Sequence, residues 1–256
     1  MGSSPILRFL LSMAKIQRVL AGKDGKTFYV SDLSKDMHTQ FGFISKKELK
    51  RKKGIVKTNK GKEFFIFEAG FIDRFKKLKR GAQIITLKDA GSIIAETGIN
   101  RDSRVLDAGG GSGALACVLG NIVKQVVTYE NNKAFVNIIE ENIKNLDLKN
   151  VTVRNKDITK GISEKNLDLV VLDMLNPEKV IEHAAKSLKS GGFLVAYLPS
   201  VTQVVNFVRT MGRNKNLILS KVIENIQRQW KIEGKIARPE FSMLGHTGFL
   251  IFVRRV

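Results

Sequence analysis

Val105-Leu106-Asp107-Ala108-Gly109-Gly110-Gly111-Ser112-Gly113-Ala114-Leu115 joins three signals in one short stretch. An apolar strand ends in an acid, glycines recur at every second position from Gly109 to Gly113, and a helix-forming run continues from Ala114 to Leu119. Strand, tight turn and helix start together present backbone N–H groups and the positive end of a helix to a ligand. Glycine is needed where the chain takes a positive φ or where a ligand touches the backbone. The spacing Asp-x-Gly-x-Gly-x-Gly differs from the dinucleotide fingerprint G-x-G-x-x-G. Taken alone, it is also compatible with a bare strand–helix turn.

The residues downstream favour a ligand site. Gln125-Val126-Val127-Thr128-Tyr129 reads as the next strand and ends in Glu130, where open α/β sheets place a carboxylate for ribose hydroxyls. A helical pattern from Lys133 to Leu146 leads to a third strand, Val151-Thr152-Val153-Arg154-Asn155, with Asp157 just beyond it. A fourth, Leu167-Asp168-Leu169-Val170-Val171-Leu172, ends in Asp173. Acids therefore stand at or just past the carboxyl ends of four successive strands, the edge at which such sheets bind ligands.

On these residues the chain resembles the class I S-adenosylmethionine (SAM) dependent methyltransferases, over roughly residues 81–256. The resemblance implies that Asp107, Gly109, Gly111 and Gly113 lie against the methionine part of SAM. It places Glu130 on the ribose and Asp157 near adenine, and it extends cofactor contacts to Ser112, Ala114, Ile158 and Asp173. S-adenosylhomocysteine would be the product. The cofactor carries its own activated methyl group, so the protein need only bind, orient and exclude water.

Composition bounds the alternatives. At 256 residues the chain can hold one full α/β domain and a smaller one. Its apolar runs are strand length, too short to span a membrane, and Pro5-Ile6-Leu7-Arg8-Phe9-Leu10-Leu11 is a poor signal peptide. The one cysteine, Cys117, falls inside the helix after the glycine turn and reads as a buried small hydrophobe, which suits a reducing, cytoplasmic setting. His38, His183 and His246 have no metal-ligand spacing.

The formal charge is +20, from 44 Lys+Arg against 24 Asp+Glu. It is uneven: residues 1–90 hold 21 basic and 8 acidic residues, and 91–256 hold 23 and 16. The densest run, Lys46-Lys47-Glu48-Leu49-Lys50-Arg51-Lys52-Lys53, points to a polyanion held through Lys50, Arg51, Lys52 and Lys53. A lysine-rich solvated surface is the plainer explanation, but it would come with matching glutamates, which are lacking here.

The first 70 residues read as a separate small β domain. Lys15–Leu20 and Lys26–Val30 flank the turn signal Asp24-Gly25, and Gly54–Thr58 and Glu63–Phe67 flank Asn59-Lys60-Gly61. Residues 71–80 read as a basic linking helix, and 81–256 as the catalytic domain. The segment Leu217–Ile226 reads as a strand joined to the last one, Gly248–Arg254, without a crossover helix, so the last strand should pair antiparallel.

Both halves together resemble the tRNA adenine-N1 methyltransferases that modify the T-loop at position 58, or at 57 and 58. The resemblance rests on His38-Thr39-Gln40-Phe41-Gly42, Lys57-Thr58-Asn59-Lys60-Gly61-Lys62-Glu63-Phe64 and Lys79-Arg80-Gly81-Ala82-Gln83-Ile84-Ile85. It rests also on Leu172-Asp173-Met174-Leu175-Asn176-Pro177, Ala196-Tyr197-Leu198-Pro199-Ser200-Val201-Thr202-Gln203-Val204, Arg238-Pro239-Glu240-Phe241 and Gly245-His246-Thr247-Gly248-Phe249-Leu250. It runs from about residue 15 to the end. It departs at Glu178, where many members have an aromatic residue. The resemblance implies tRNA as substrate, a homotetramer, Asp173 as the catalytic residue and a SAM contact at Gln83.

Adenine N1 has a free lone pair and leaves the reaction as part of a cationic base. A carboxylate beside it can accept a hydrogen bond from the exocyclic amino group and offset the developing charge. Asp173 could instead cap the following helix. Tyr197 could stack on the base or simply pack. His246 could line the adenine pocket or be a hydrogen-bonded structural residue, and Trp230 belongs in a core or an interface. Asn176-Pro177 lacks the second proline and the aromatic of amino-group methyltransferases. Two other classes stay open: a methyltransferase for small molecules or proteins, and a non-catalytic tRNA-binding subunit.

Overall fold

The structure is a computed structural model that describes residues 15–81 and 83–256. Readings that fall on residues 1–14 or on Ala82 lie outside it. The chain forms two compact units, one of residues up to Lys79 together with Lys144–Asp147, the other of Arg80–Ile143 and Leu148–Val256.

The N-terminal unit is built from β1 (Arg18–Ala21), β2 (Thr27–Val30), β3 (Met37–Thr39), β4 (Gly42–Ile44), α1 (Lys46–Leu49), β5 (Lys53–Lys57), β6 (Glu63–Glu68) and α2 (Phe71–Phe75). Its four-stranded sheet has the order β2-β1-β6-β5, and every pairing is antiparallel. The two turns expected at Asp24-Gly25 and around Asn59-Lys60-Gly61 are the hairpins β1–β2 and β5–β6, with Gly25 and Gly61 at positive φ. One face of the sheet buries Leu20, Val56, Phe64 and Ile66 against Ile44 and Leu49. The β3–β4 hairpin was not foreseen, because its strands are three residues each. The basic stretch from residue 71 stays helical only to Phe75. Beyond it, Lys76, Lys77, Lys79 and Arg80 follow one another with no acid between them, and like charges this close disfavour further helix.

The larger unit contains α3 (Leu87–Thr97), β7 (Arg104–Ala108), α4 (Ala114–Gly120), β8 (Gln125–Glu130), α5 (Lys133–Asn145), β9 (Val151–Asn155), β10 (Leu167–Leu172), α6 (Ile181–Ser187), β11 (Leu188–Leu198), α7 (Val201–Met211), β12 (Leu217–Glu224), β13 (Trp230–Glu233), β14 (Ile236–Pro239) and β15 (Phe249–Arg255). Seven strands form one sheet in the order β12-β15-β11-β10-β7-β8-β9. The pairings from β11 to β9 are parallel, and β15 is antiparallel to both its neighbours, as the sequence led us to expect. Parallel strands need crossover helices and are covered on both faces, so they read as continuous apolar runs. Leu169, Val170, Val171 and Leu172 are fully buried accordingly.

Every residue of α4 is buried, Cys117 included, and burial pushes that thiol up to about 12. The β13–β14 hairpin turns at Gly234 and leaves Trp230 59% exposed, so this tryptophan is not a core residue. Among the described residues no helix is long and apolar enough to cross a membrane.

Candidate active site

The glycine turn is held by its own backbone. The N–H groups of Gly109 and Gly110 both donate to the Tyr129 carbonyl, at 3.2 and 3.1 Å, and Gly113 donates to the Gly110 carbonyl at 2.7 Å. Gly109 has φ +84°, and a Cβ there would sit 1.8 Å from the carbonyl oxygen of Asp173. The Asp173 N–H in turn donates to Ala108, at 2.8 Å. The turn and Asp173 thus meet peptide against peptide, and no side chain fits between them.

Glu130 closes the other side of the turn. Its Oε2 accepts from Gly111 N–H and its Oε1 from Asn132 N–H, each at 2.8 Å. Each oxygen keeps a lone pair for a further donor. Asp157 accepts from the N–H and the hydroxyl of Thr159 through one oxygen, Oδ1, and so caps the short 3-10 turn Ile158–Lys160. The Thr159 hydroxyl, and then its N–H, hold the Asp157 carboxyl below its usual range.

A cleft of about 840 Å³ opens at this edge of the sheet. It brings together Gln83, Gly109, Gly111, Glu130, Asp157, Ile158, Asp173 and Tyr197 from the residues singled out by sequence. Asp107, Ser112 and Ala114 line a small recess under the glycine turn, alongside Gln83 and Asp173, rather than the cleft itself. Gly113 has a different use: a Cβ there would lie 2.8 Å from Ile139 of α5, so it serves close packing. Lys50, Arg51, Lys52 and Lys53 belong to the other unit. Arg51 is tied into that unit, its guanidinium donating to Glu48 at 2.9 Å and to the Ile55 carbonyl at 2.8 Å.

Two of the acids, Asp107 and Asp173, are disfavoured as carboxylates. Asp107 is 2% exposed and accepts from the Thr128 hydroxyl at 2.9 Å. Burial, with Glu130 nearby, raises its carboxyl to about 6. Burial and then the Asp107 charge push Asp173 up to about 7. The Asp173 carboxylate accepts no hydrogen bond among the described residues, and the turn after it is not capped by its side chain. The helix-cap alternative therefore does not describe it.

Tyr197 and His246 differ. Tyr197 lies in the cleft wall with its ring against Gly248, where a Cβ would come within 2.6 Å; burial pushes its phenol up to about 12. His246 is not a lining residue. Its Nε2 meets the Pro199 carbonyl at 2.9 Å and its Nδ1 meets Glu224. Both partners are acceptors, an arrangement that favours a hydrogen on each ring nitrogen and so the cationic imidazole. The Glu224 carboxylate, and then the Pro199 carbonyl, raise its pKa. This is the hydrogen-bonded structural arrangement, not a pocket lining.

Sequence reasoning assigned no role to Phe135, Lys156, Met174, Leu175, Pro199 and Gln203, which line the cleft together with Tyr129, Asn131, Asn132 and Thr159. Lys156 and Pro199 directly follow strand ends, and Met174 and Leu175 lie two and three residues past one, a signal that was available. It also missed a buried network in which Asp89 accepts from Thr86, Lys88, Asn225 and Thr247.

Comparison with known proteins agrees with this architecture. Residues 75–235 match the family model described as tRNA methyltransferase complex GCD14 subunit. The tRNA (adenine(57)-N(1)/adenine(58)-N(1))-methyltransferase TrmI of Methanocaldococcus jannaschii is 31% identical over 93% of this chain and 94% of its own. The crystal structure of tRNA (m1A58) methyltransferase TrmI from Aquifex aeolicus superposes with a TM-score of 0.77 at 26% identity, covering 96% of this chain and 99% of that one. A SAM-dependent O-methyltransferase structure from Thermotoga maritima gives 0.83 at 28%, covering 100% and 97%. With a glycine turn, a carboxylate-lined cleft and matches over nearly its whole length, the chain belongs to the GCD14/TrmI family of tRNA methyltransferases.

Proposed function

We propose that this protein transfers a methyl group from SAM to N1 of adenine in the T-loop of tRNA, at position 58 or at 57 and 58. The observation that carries the reading is Asp173, a carboxylate without a hydrogen-bond partner among the described residues, set against the glycine turn in the cleft. The carboxylate is half-buried and borders the cleft, so its acceptor capacity is open to a donor that binds there. The exocyclic amino group of adenine is such a donor.

The residues present suit the cofactor. Gly109 and Gly111, both at positive φ, offer bare backbone in the cleft wall. Ser112 Oγ is enclosed beneath the turn with no partner among the described residues. Glu130 has lone pairs for two ribose hydroxyls. Asp157 Oδ2 and Ile158 would meet adenine, and Gln83 the methionine end. When bound, SAM supplies a methyl group on a cationic sulfonium. Asp107, Gly113 and Ala114 position the turn from behind.

Asp173 accepts from the target amino group and offsets the charge that develops on the base. Tyr197 offers an aromatic wall to an extruded adenine, as enzymes acting on single bases require. No proton need be removed before N1 attacks. The N-terminal unit, with Lys50 to Lys53, would hold the tRNA backbone electrostatically. The resemblance implies a homotetramer, and exposed Ile218, Leu219 and Val222 on the edge strand β12, with Trp230 and Ile232 on the hairpin, offer apolar surface for self-association. A free, buried cysteine fits a cytoplasmic enzyme.

The test is mass spectrometry of nucleosides and mapped fragments from unmodified tRNA incubated with protein and SAM. We expect 1-methyladenosine at 58, alone or with 57. A SAM-loaded protein that leaves the T-loop unmethylated would overturn the reading.

A further inference from the structure

A second pocket of about 390 Å³, sharing no lining residue with the cleft, lies in the N-terminal unit. Its size is within the range of pockets that hold small organic ligands. Ile16, Phe28 and Leu78 give it an apolar floor. Lys15, Arg74 and Lys77 stand around it, with Tyr29 beside them. Lys77 Nζ is 5.0 Å from the centre of the Tyr29 ring, so cation and aromatic face occupy one corner. Lys15 and Arg74 both pair with a single carboxylate, Asp147, which leaves these three cations in excess over their acid. The pocket opens beside β2, an outer strand of its sheet, whose outer edge has no strand partner among the described residues.

An apolar slot with an aromatic side and a cationic rim matches one ligand chemistry: a flat base with a phosphate attached. A phosphate alone would not need Ile16 and Leu78, and an apolar ligand would not need three cations. We propose that this pocket binds a nucleotide, with the base taking the place of Lys77 over the Tyr29 ring and the phosphate drawing Lys77 to itself beside Arg74. The proposal rests on the tRNA reading for its first source, a nucleotide of the substrate tRNA; a free mononucleotide is the second.

Two variants of the full-length protein separate the outcomes. Lys77→Glu removes the cation from an exposed position, and Tyr29→Val removes the aromatic face while keeping a strand-forming, apolar residue against Ile16, Val19 and Ala69. For an RNA-borne nucleotide, Tyr29→Val should weaken tRNA binding by roughly tenfold or more. Lys77→Glu should weaken it and lower the log–log salt slope by about 1. SAM affinity, and kcat at saturating tRNA, should not change. In parallel, AMP is titrated into the wild-type protein while the backbone amide shifts of Tyr29, Ser31 and Lys77 are followed. AMP-induced shifts that Tyr29→Val abolishes, with tRNA affinity intact in both variants, would support the nucleotide site and assign it to a free mononucleotide. Unchanged tRNA binding together with no AMP shifts would overturn the proposal. Wild-type protein that fails to methylate tRNA would count against the proposed function instead, and the AMP arm would still read the pocket.

Discussion

The two halves of the seven-stranded sheet bring their groups to the cleft by different routes. In the parallel half, β10, β7, β8 and β9 each run straight into a loop that supplies what that strand contributes: Asp173, the glycine turn, Glu130 and Asp157. Crossover connections put all four carboxyl ends on one edge, so each contribution is local in sequence. The other half is assembled from distant pieces. Tyr197 and Pro199 come from the end of β11, Glu224 from the end of β12, and His246 to Gly248 from the approach to β15. Because β15 runs antiparallel, its first residue, Phe249, pairs with Leu198 on one side and Glu224 on the other. The segment before it therefore arrives at the same edge. One half presents backbone and carboxylates; the other presents the Tyr197 ring, with His246 tying the Pro199 carbonyl to Glu224.

If this division also separates cofactor from base, substitutions should sort by half. The largest effect is expected at Asp173, past the end of β10, the strand of the parallel half that borders the other. Asp173→Ala should lower kcat by about 10²–10³, by analogy with losing one oxyanion-hole donor, while tRNA affinity changes little. The same loss should appear in the wild type at low pH. With its carboxyl raised to about 7, the rate should fall as pH drops through that value and the acceptor becomes protonated. Near wild-type kcat in the variant would remove Asp173 from the chemistry and leave Tyr197 as the next residue to test.

A smaller loss is expected wholly within the parallel half. Glu130→Ala should weaken SAM binding by about 1.5–3 kcal/mol, the range for hydrogen bonds to a charged group, with tRNA binding unaffected. Part of that loss would come from the turn itself, since Gly111 N–H loses its acceptor. Calorimetry showing unchanged SAM affinity would end the division at this residue. The mildest change concerns neither half. Reversing Lys50, Arg51, Lys52 and Lys53 to glutamate should weaken tRNA binding and flatten its salt dependence, with no effect on SAM. Arg51 is already engaged by Glu48 and Ile55, so most of the effect should come from the three lysines. An unchanged slope would place the gripping surface elsewhere.

The halves also differ in how far they could be read in advance. Strand ends followed by an acid or a glycine are local patterns, and the structure brings Gly109, Glu130, Asp157 and Asp173 to one cleft. The antiparallel pairing of β15 was legible because no helix intervenes. His246 was not, since its setting depends on Pro199 and Glu224, 47 and 22 residues away. The Asp89 network was hidden for the same reason, with partners up to 158 residues distant. Gly113 looked like part of a ligand turn because spacing alone cannot distinguish a glycine facing a ligand from one facing Ile139. The helix expected from residue 71 to residue 80 ends instead at Phe75, where the run of like charges begins.

The contact between Gly109 and the Asp173 carbonyl makes position 173 a socket. Peptide atoms alone fix the spacing there, whichever side chain the position carries. An ancestral cleft of this design could exchange the reacting group at 173, and with it the acceptor it favours, without rebuilding the turn beside it. Gly109 has no such freedom, because any larger residue would have to push the strand end aside. The neighbour's backbone thus constrains the residue at 109, while the side chain at 173 answers only to the chemistry it performs.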